Sequence, residues 1–141
     1  MSPISSLIGY FFSINLIEDL VKNRVTFKEN LNTTINGGAI GMNASSNLIL
    51  NNCVFDQNST SGINNNGGAL FVSQGNVTIA NSIFKNNTAR GNGGAIHVSG
   101  DGKLSISESL FINNKAQSIN NNDNAKGGAI SVQSNTREVQ L

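Results

Sequence analysis

The chain has 141 residues, enough for one domain, with 12% charged residues and a net charge of +1. That balance carries no electrostatic footprint for nucleic acid or anionic lipid, so neither is an expected partner. One cysteine, Cys53, and one histidine, His97, exclude an intramolecular disulfide and any metal site built from cysteines or a histidine pair. No metal and no cofactor is expected.

Residues 1–26 read as an N-terminal partial rung or cap. Within them Ile4–Ile17 is apolar for fourteen residues, too short to span a bilayer comfortably. A signal-peptide core is the alternative, but no positively charged stretch precedes it and no small-x-small pattern follows. Residues 27–141 are organised differently. Phe followed three residues later by Asn occurs at Phe27–Asn30, Phe55–Asn58, Phe84–Asn87 and Phe111–Asn114. Between these stand four near-identical tetrads: Gly37-Gly38-Ala39-Ile40, Gly67-Gly68-Ala69-Leu70, Gly93-Gly94-Ala95-Ile96 and Gly127-Gly128-Ala129-Ile130.

The spacing of the two signatures separates what is packed from what is free. From first Gly to Phe the distances are 18, 17 and 18 residues; from Phe to the next Gly they are 10, 12, 9 and 16. One segment holds its length while the other absorbs every insertion, as a packed rung with a surface loop must. Inside the constant segment the pattern has period two, which indicates half-buried strands. Ile40/Met42, Leu70/Val72, Ile96/Val98 and Ile130/Val132 point inward, and Gly41, Phe71, His97 and Ser131 point out. Turn residues follow at Ser45–Asn47, Gln74–Asn76, Gly100–Gly102 and Ser134–Asn135. A second alternating run (Leu48/Leu50, Val77/Ile79, Leu104/Ile106) then leads into the apolar pairs Val54–Phe55, Ile83–Phe84 and Leu110–Phe111, read as a corner.

No single repeat of this kind can bury its apolar face, so successive repeats must stack. The predicted fold is all-β: a right-handed parallel β-helix, a pectin-lyase-like solenoid of about four rungs. Stacking about 4.8 Å apart aligns like residues into a Phe stack, an Ile/Leu stack and an Asn stack. Helical solenoids share the period, but the Gly, Asn and β-branched content is wrong for helices. Each glycine pair stands where a loop re-enters the wall, and there the backbone needs positive φ or close approach to the next rung. The 25 asparagines suit turns and amide ladders.

The alternating GGA[IL] and FxxN motifs, over about Phe27–Val132, resemble the repeats of the polymorphic outer membrane protein family of chlamydiae and similar repeats in other bacterial and protist surface proteins. The resemblance implies right-handed parallel β-helix passenger domains that are secreted or held at the cell surface or outer membrane and used in adhesion. It further implies a contribution to adhesion by the motifs themselves, here Gly37–Ile40 with Phe55–Asn58, Gly67–Leu70 with Phe84–Asn87, and Gly93–Ile96 with Phe111–Asn114. The implied partner is a cell-surface protein or glycan. No cysteine-rich region or membrane barrel accompanies the repeats. A monomeric solenoid within a longer chain is therefore expected, truncated at its C-terminus, with membrane attachment only through regions absent from this chain.

Some β-helices degrade polysaccharides, and such chemistry needs clustered carboxylates. Only Glu18–Asp19 are adjacent among the acidic residues, and no acid recurs at one rung position. Catalytic residues are therefore not expected, and the enzyme or polysaccharide-binding reading stands second to a non-enzymatic adhesin, with a passive spacer third. His97 reads as an outward surface residue. Cys53 aligns with Ser82 and Ser109 as a small packing residue. Five glycosylation sequons, at Asn32, Asn43, Asn58, Asn76 and Asn86, are about what chance gives with this many asparagines. For direct recognition the variable loops are the better candidates by physics: Lys28–Asn36, Asp56–Asn66, Lys85–Asn92 and Ile112–Lys126.

Overall fold

The computed structural model describes residues 5–8, 12–14, 20–118, 125–133 and 138–141. Half of the apolar stretch Ile4–Ile17, the pair Glu18–Asp19, the turn at Ser134–Asn135 and the middle of the last variable loop lie outside the described residues. The described chain is all strand and turn, and every pairing is parallel. It forms a β-solenoid of about three complete turns with partial turns at either end, where counting motifs alone suggested about four rungs.

Four sheets make the wall. The glycine sheet stacks Phe12–Ile14, Ile40–Met42, Leu70–Val72, Ile96–Val98 and Ile130–Val132. A middle sheet stacks Leu20–Asn23, Asn47–Asn51, Asn76–Ala80, Lys103–Ser107 and Glu138–Gln140. The phenylalanine sheet stacks Ser5–Ile8, Val25–Lys28, Val54–Asp56, Ile83–Lys85 and Leu110–Ile112. The apolar pairs read as a corner are thus strands, and the corner lies two residues before them, at Asn52, Asn81 and Glu108. A short fourth sheet stacks Leu31–Asn32, Ser59–Thr60, Thr88–Ala89 and Lys115–Ala116. It takes up the start of what looked like free loop.

Left-handed backbone makes the two corners around the phenylalanine sheet. Arg24, Asn52, Asn81 and Glu108 have φ near +50° before it, and Glu29, Gln57, Asn86 and Asn113 repeat this after it. Asparagine tolerates that region better than most residues, because its short side chain bonds locally. The second corner falls between Phe and Asn of each FxxN, which leaves the Asn itself free for another task.

The core is a set of columns running along the solenoid axis. Phe27, Phe55, Phe84 and Phe111 stack with ring centroids 4.5, 4.4 and 5.0 Å apart and rings within 7° of parallel. Beside them run Ile40–Leu70–Ile96, Met42–Val72–Val98, Leu48–Val77–Leu104 and Leu50–Ile79–Ile106, all buried. Each aliphatic column removes its side chains from water at about 1.5–3 kcal/mol per fully buried residue. Cys53 fills one corner column with Ser82 and Ser109. Its backbone N–H donates to Ser82 Oγ at 3.1 Å, and Ser82 N–H donates to Ser109 Oγ at 3.1 Å. Burial pushes the Cys53 thiol pKa up, with backbone hydrogen bonds acting weakly the other way.

The glycine pair divides its work. Gly67 has φ +70°, and Gly37, Gly93 and Gly127 match it at φ +80°, +69° and +68°. A Cβ on Gly68 would run into the carbonyl oxygen of Gly94 in the next rung and the backbone of Thr88. One glycine turns the chain and the other lets two rungs touch.

Candidate functional site

The repeat motifs are spent inside the wall. Ala39, Ala69, Ala95, Phe27, Phe55 and Phe84 are fully buried. The FxxN asparagines form a closed amide ladder. Asn30 Nδ2 donates to Asn58 Oδ1 at 2.8 Å, Asn58 Nδ2 to Asn87 Oδ1 at 3.0 Å, and Asn87 Nδ2 to Asn114 Oδ1 at 2.9 Å. Each receiving oxygen also accepts the backbone N–H of the residue below it, at 3.2, 3.0 and 3.1 Å. The remaining amide hydrogens reach back to the carbonyls of Phe27, Phe55 and Phe84 at 2.9, 3.0 and 2.8 Å. Buried amides bonded in this way rigidify a core, and at Asn58 and Asn87 both the amide oxygen and the amide nitrogen are engaged within the wall. Sequons fall under the same rule: Asn58 and Asn32 are buried, and Asn43, Asn76 and Asn86 stand exposed.

The loops behave differently. Beyond the short sheet, among the described residues, 33–35, 61–65, 90–91 and 117–118 leave the wall. They emerge on one edge, and their tips carry apolar side chains into water: Ile35 at 44% exposure and Ile63 at 70%. Local bonds shape them. Asn32 Oδ1 accepts Thr34 N–H and Ile35 N–H, each at 3.2 Å, and Thr60 Oγ1 donates to Asn65 O at 3.0 Å. Such Asx-type bonds fix a loop without a core.

His97 is not the surface residue its outward position suggested. It is only 4% exposed, because the glycine sheet is covered on both faces: all three residues of Ile96–Val98 are buried. Its ring stacks on Phe71 of the rung below, 5.8 Å away and 8° from parallel, with Ser131 in register above. Burial lowers its pKa from the usual value, so the folded chain favours neutral imidazole. Nδ1 is buried without a hydrogen-bond partner.

His97 lines a concavity of about 510 Å³ together with Asn66, Asn92, Lys126, Ser131 and Gln133. A second asparagine ladder forms one wall of it. Asn66 N–H donates to Asn36 Oδ1, Asn92 N–H to Asn66 Oδ1, and Lys126 N–H to Asn92 Oδ1, at 2.7, 2.7 and 2.8 Å. These asparagines immediately precede the glycine pairs, so the signal was present in sequence as NGGA at Asn36, Asn66 and Asn92. Reading the tetrad from its first glycine missed it.

Among the described residues, no three of His, Cys, Asp and Glu gather as a metal-binding group. Acidic side chains instead serve ion pairs, Lys28–Glu29 at 3.6 Å and Lys103–Glu138 at 3.7 Å on the exposed surface and Lys85–Asp56 at 3.7 Å with the aspartate half-buried. Such pairs contribute little to stability.

Two segments of the chain, residues 81–99 and 108–133, match the family model of the Chlamydia polymorphic membrane protein repeat. The chain therefore carries this repeat at two places, spanning Phe84–Asn87, Gly93–Ile96, Phe111–Asn114 and Gly127–Ile130. No curated protein and no solved structure matches it.

Proposed function

We propose that this chain is a non-enzymatic recognition wall of a surface-exposed or secreted protein, which presents its variable loops to a cell-surface protein or glycan. The observation that carries the reading is the division of labour along the repeat. In the central rungs the motif positions are consumed by stacking or by the buried ladder, whereas repeat length varies where the chain leaves the wall on one edge. A rigid scaffold with clustered, variable loops is how binding surfaces are commonly built. The matched repeat belongs to a membrane-protein family of Chlamydia, which supports the surface of a cell as the setting. On this reading the motifs contribute to adhesion by holding the loops in line rather than by touching the partner.

The test is adhesion of protein-coated beads to host cells after exchanging residues 33–35, 61–65 and 90–91 for Gly-Ser segments of equal length, which keeps Asn36, Asn66 and Asn92. Binding is expected to fall several-fold with the β-sheet circular dichroism retained. Unchanged binding would refute loop recognition, and absence of binding by the parent would favour a passive spacer.

A further inference from the structure

The concavity beside His97 has a donor pattern that its two asparagines cannot alter. An amide side chain can be turned end for end, but a backbone N–H meets only an acceptor. Asn66 and Asn92 each give their Oδ1 to the backbone N–H of the following rung. Their Nδ2 groups are thereby fixed as the outer ends, and neither donates a hydrogen bond among the described residues. The Lys126 side chain is exposed, takes part in no ion pair among the described residues, and continues the same column one rung on. Ser131 and Gln133 add groups able to donate or accept, and among the described residues no carboxylate lines the space. At its floor lies the buried His97 ring with an unpartnered Nδ1.

From this arrangement we infer a binding site for the carboxylate of an acidic sugar, set between the Asn66–Asn92–Lys126 column and His97. Two amide donors and an ammonium converge where a carboxylate has only acceptors to offer, and charge-assisted bonds of this type are the strong ones. The ring hydroxyls of the sugar fall to Ser131 and Gln133, which can serve them in either sense. A volume of about 510 Å³ suits one or two sugar units, since small-molecule pockets run from roughly 300 to 1,000 Å³. The site lies on the wall, away from the loop tips, so a glycan chain held there would run along the solenoid while the loops engage elsewhere. The inference deepens the recognition reading and rests on it, but the two fail separately: loop exchange leaves this site intact.

The single histidine makes the test direct, because the full chain gives one imidazole signal in a carbon–proton NMR spectrum. D-glucuronate is titrated at low ionic strength and about pH 7.5, with glucose as the neutral sugar and acetate as the anion without a ring. Glucuronate is expected to move the His97 signal saturably with a Kd on the order of 1–10 mM, and each control at least about tenfold more weakly. Lys126→Gln removes the charge, and Asn92→Asp keeps the oxygen that holds Lys126 N–H while reversing the polarity of the donor. Each should weaken glucuronate about fivefold or more with circular dichroism unchanged. No shift at about 50 mM glucuronate, an equal response to acetate or glucose, or parent-like binding by both variants would overturn the assignment.

Discussion

Replacing Asn58 with alanine should open the buried ladder at its centre. The Asn58 side chain accepts Asn30 N–H at 3.2 Å and Asn30 Nδ2 at 2.8 Å, and donates to Phe27 O at 2.9 Å and Asn87 Oδ1 at 3.0 Å. Alanine keeps none of these, and the side chain is fully buried, so water does not replace them. Four groups lose a bond: the Asn30 N–H, one Asn30 amide hydrogen, the Phe27 carbonyl and Asn87 Oδ1, the last keeping the Asn58 N–H. At about 1–3 kcal/mol for each unsatisfied buried group, and allowing for relaxation, the expected loss is about 3–5 kcal/mol. That is a large share of the roughly 5–15 kcal/mol that holds a typical domain together. The comparison is Asn76→Ala, which removes one exposed ladder bond, Asn76 Nδ2 to Asn47 Oδ1 at 2.9 Å, and should cost about 0.5 kcal/mol or less. Urea unfolding followed by far-ultraviolet circular dichroism gives both values. Equal losses for the two variants would refute the claim that the ladder is a structural element of the core. Asn58→Asp sharpens the point. Its carboxylate would face Phe27 O and Asn87 Oδ1 as a buried anion, so its folded-state pKa is raised, and lost stability should return as pH falls into the carboxylate range.

The other expectations concern the stack, the glycines and the histidine. Phe55→Ala, in the middle of the stack, should cost about 3–5 kcal/mol in the same urea assay, and Phe55→Leu clearly less. Gly68→Ala forces a Cβ onto the Gly94 carbonyl and should lose the soluble folded protein. Gly128→Ala should be nearly neutral, because the nearest atom to its Cβ, Asn114 O, is 3.7 Å away; a tolerated Gly68→Ala would overturn the rung-contact account. His97 is buried with a lowered pKa, so below the unfolded value of about 6.5 the unfolded chain binds more protons. Stability should therefore decline as pH falls through that value, and His97→Phe, which keeps the stack on Phe71, should flatten the profile between about pH 7.5 and 5. An unchanged slope would place the responsible group elsewhere.

Much of this molecule was legible because a solenoid makes distant contacts periodic. The constant 17–18-residue stretch from Gly to Phe, with its alternating residues, specified stacked parallel strands, since like residues must meet once the repeats align. The resemblance carried by GGA[IL] and FxxN agrees with the family match over residues 81–99 and 108–133. Less legible was anything decided by what covers a face. Alternation put His97 outside, correctly for a single sheet, but it could not reveal that stacking on Phe71 of the neighbouring rung leaves the ring only 4% exposed. Val54–Phe55 looked like a corner because two adjacent apolar residues break period two. In the fold Phe55 points into the core, while Val54 lies half-buried on the outside of a short strand.

The sequence by itself determined the repeat, the strand class, the Phe column and the need for glycine where the loops return, because each follows from local spacing and backbone sterics. Only the tertiary structure decided which asparagine forms which ladder, and which end of each amide faces out. That choice depends on a backbone N–H about 30 residues away in the chain, as between Asn36 and Asn66, brought within bonding distance only when the rungs close on one another.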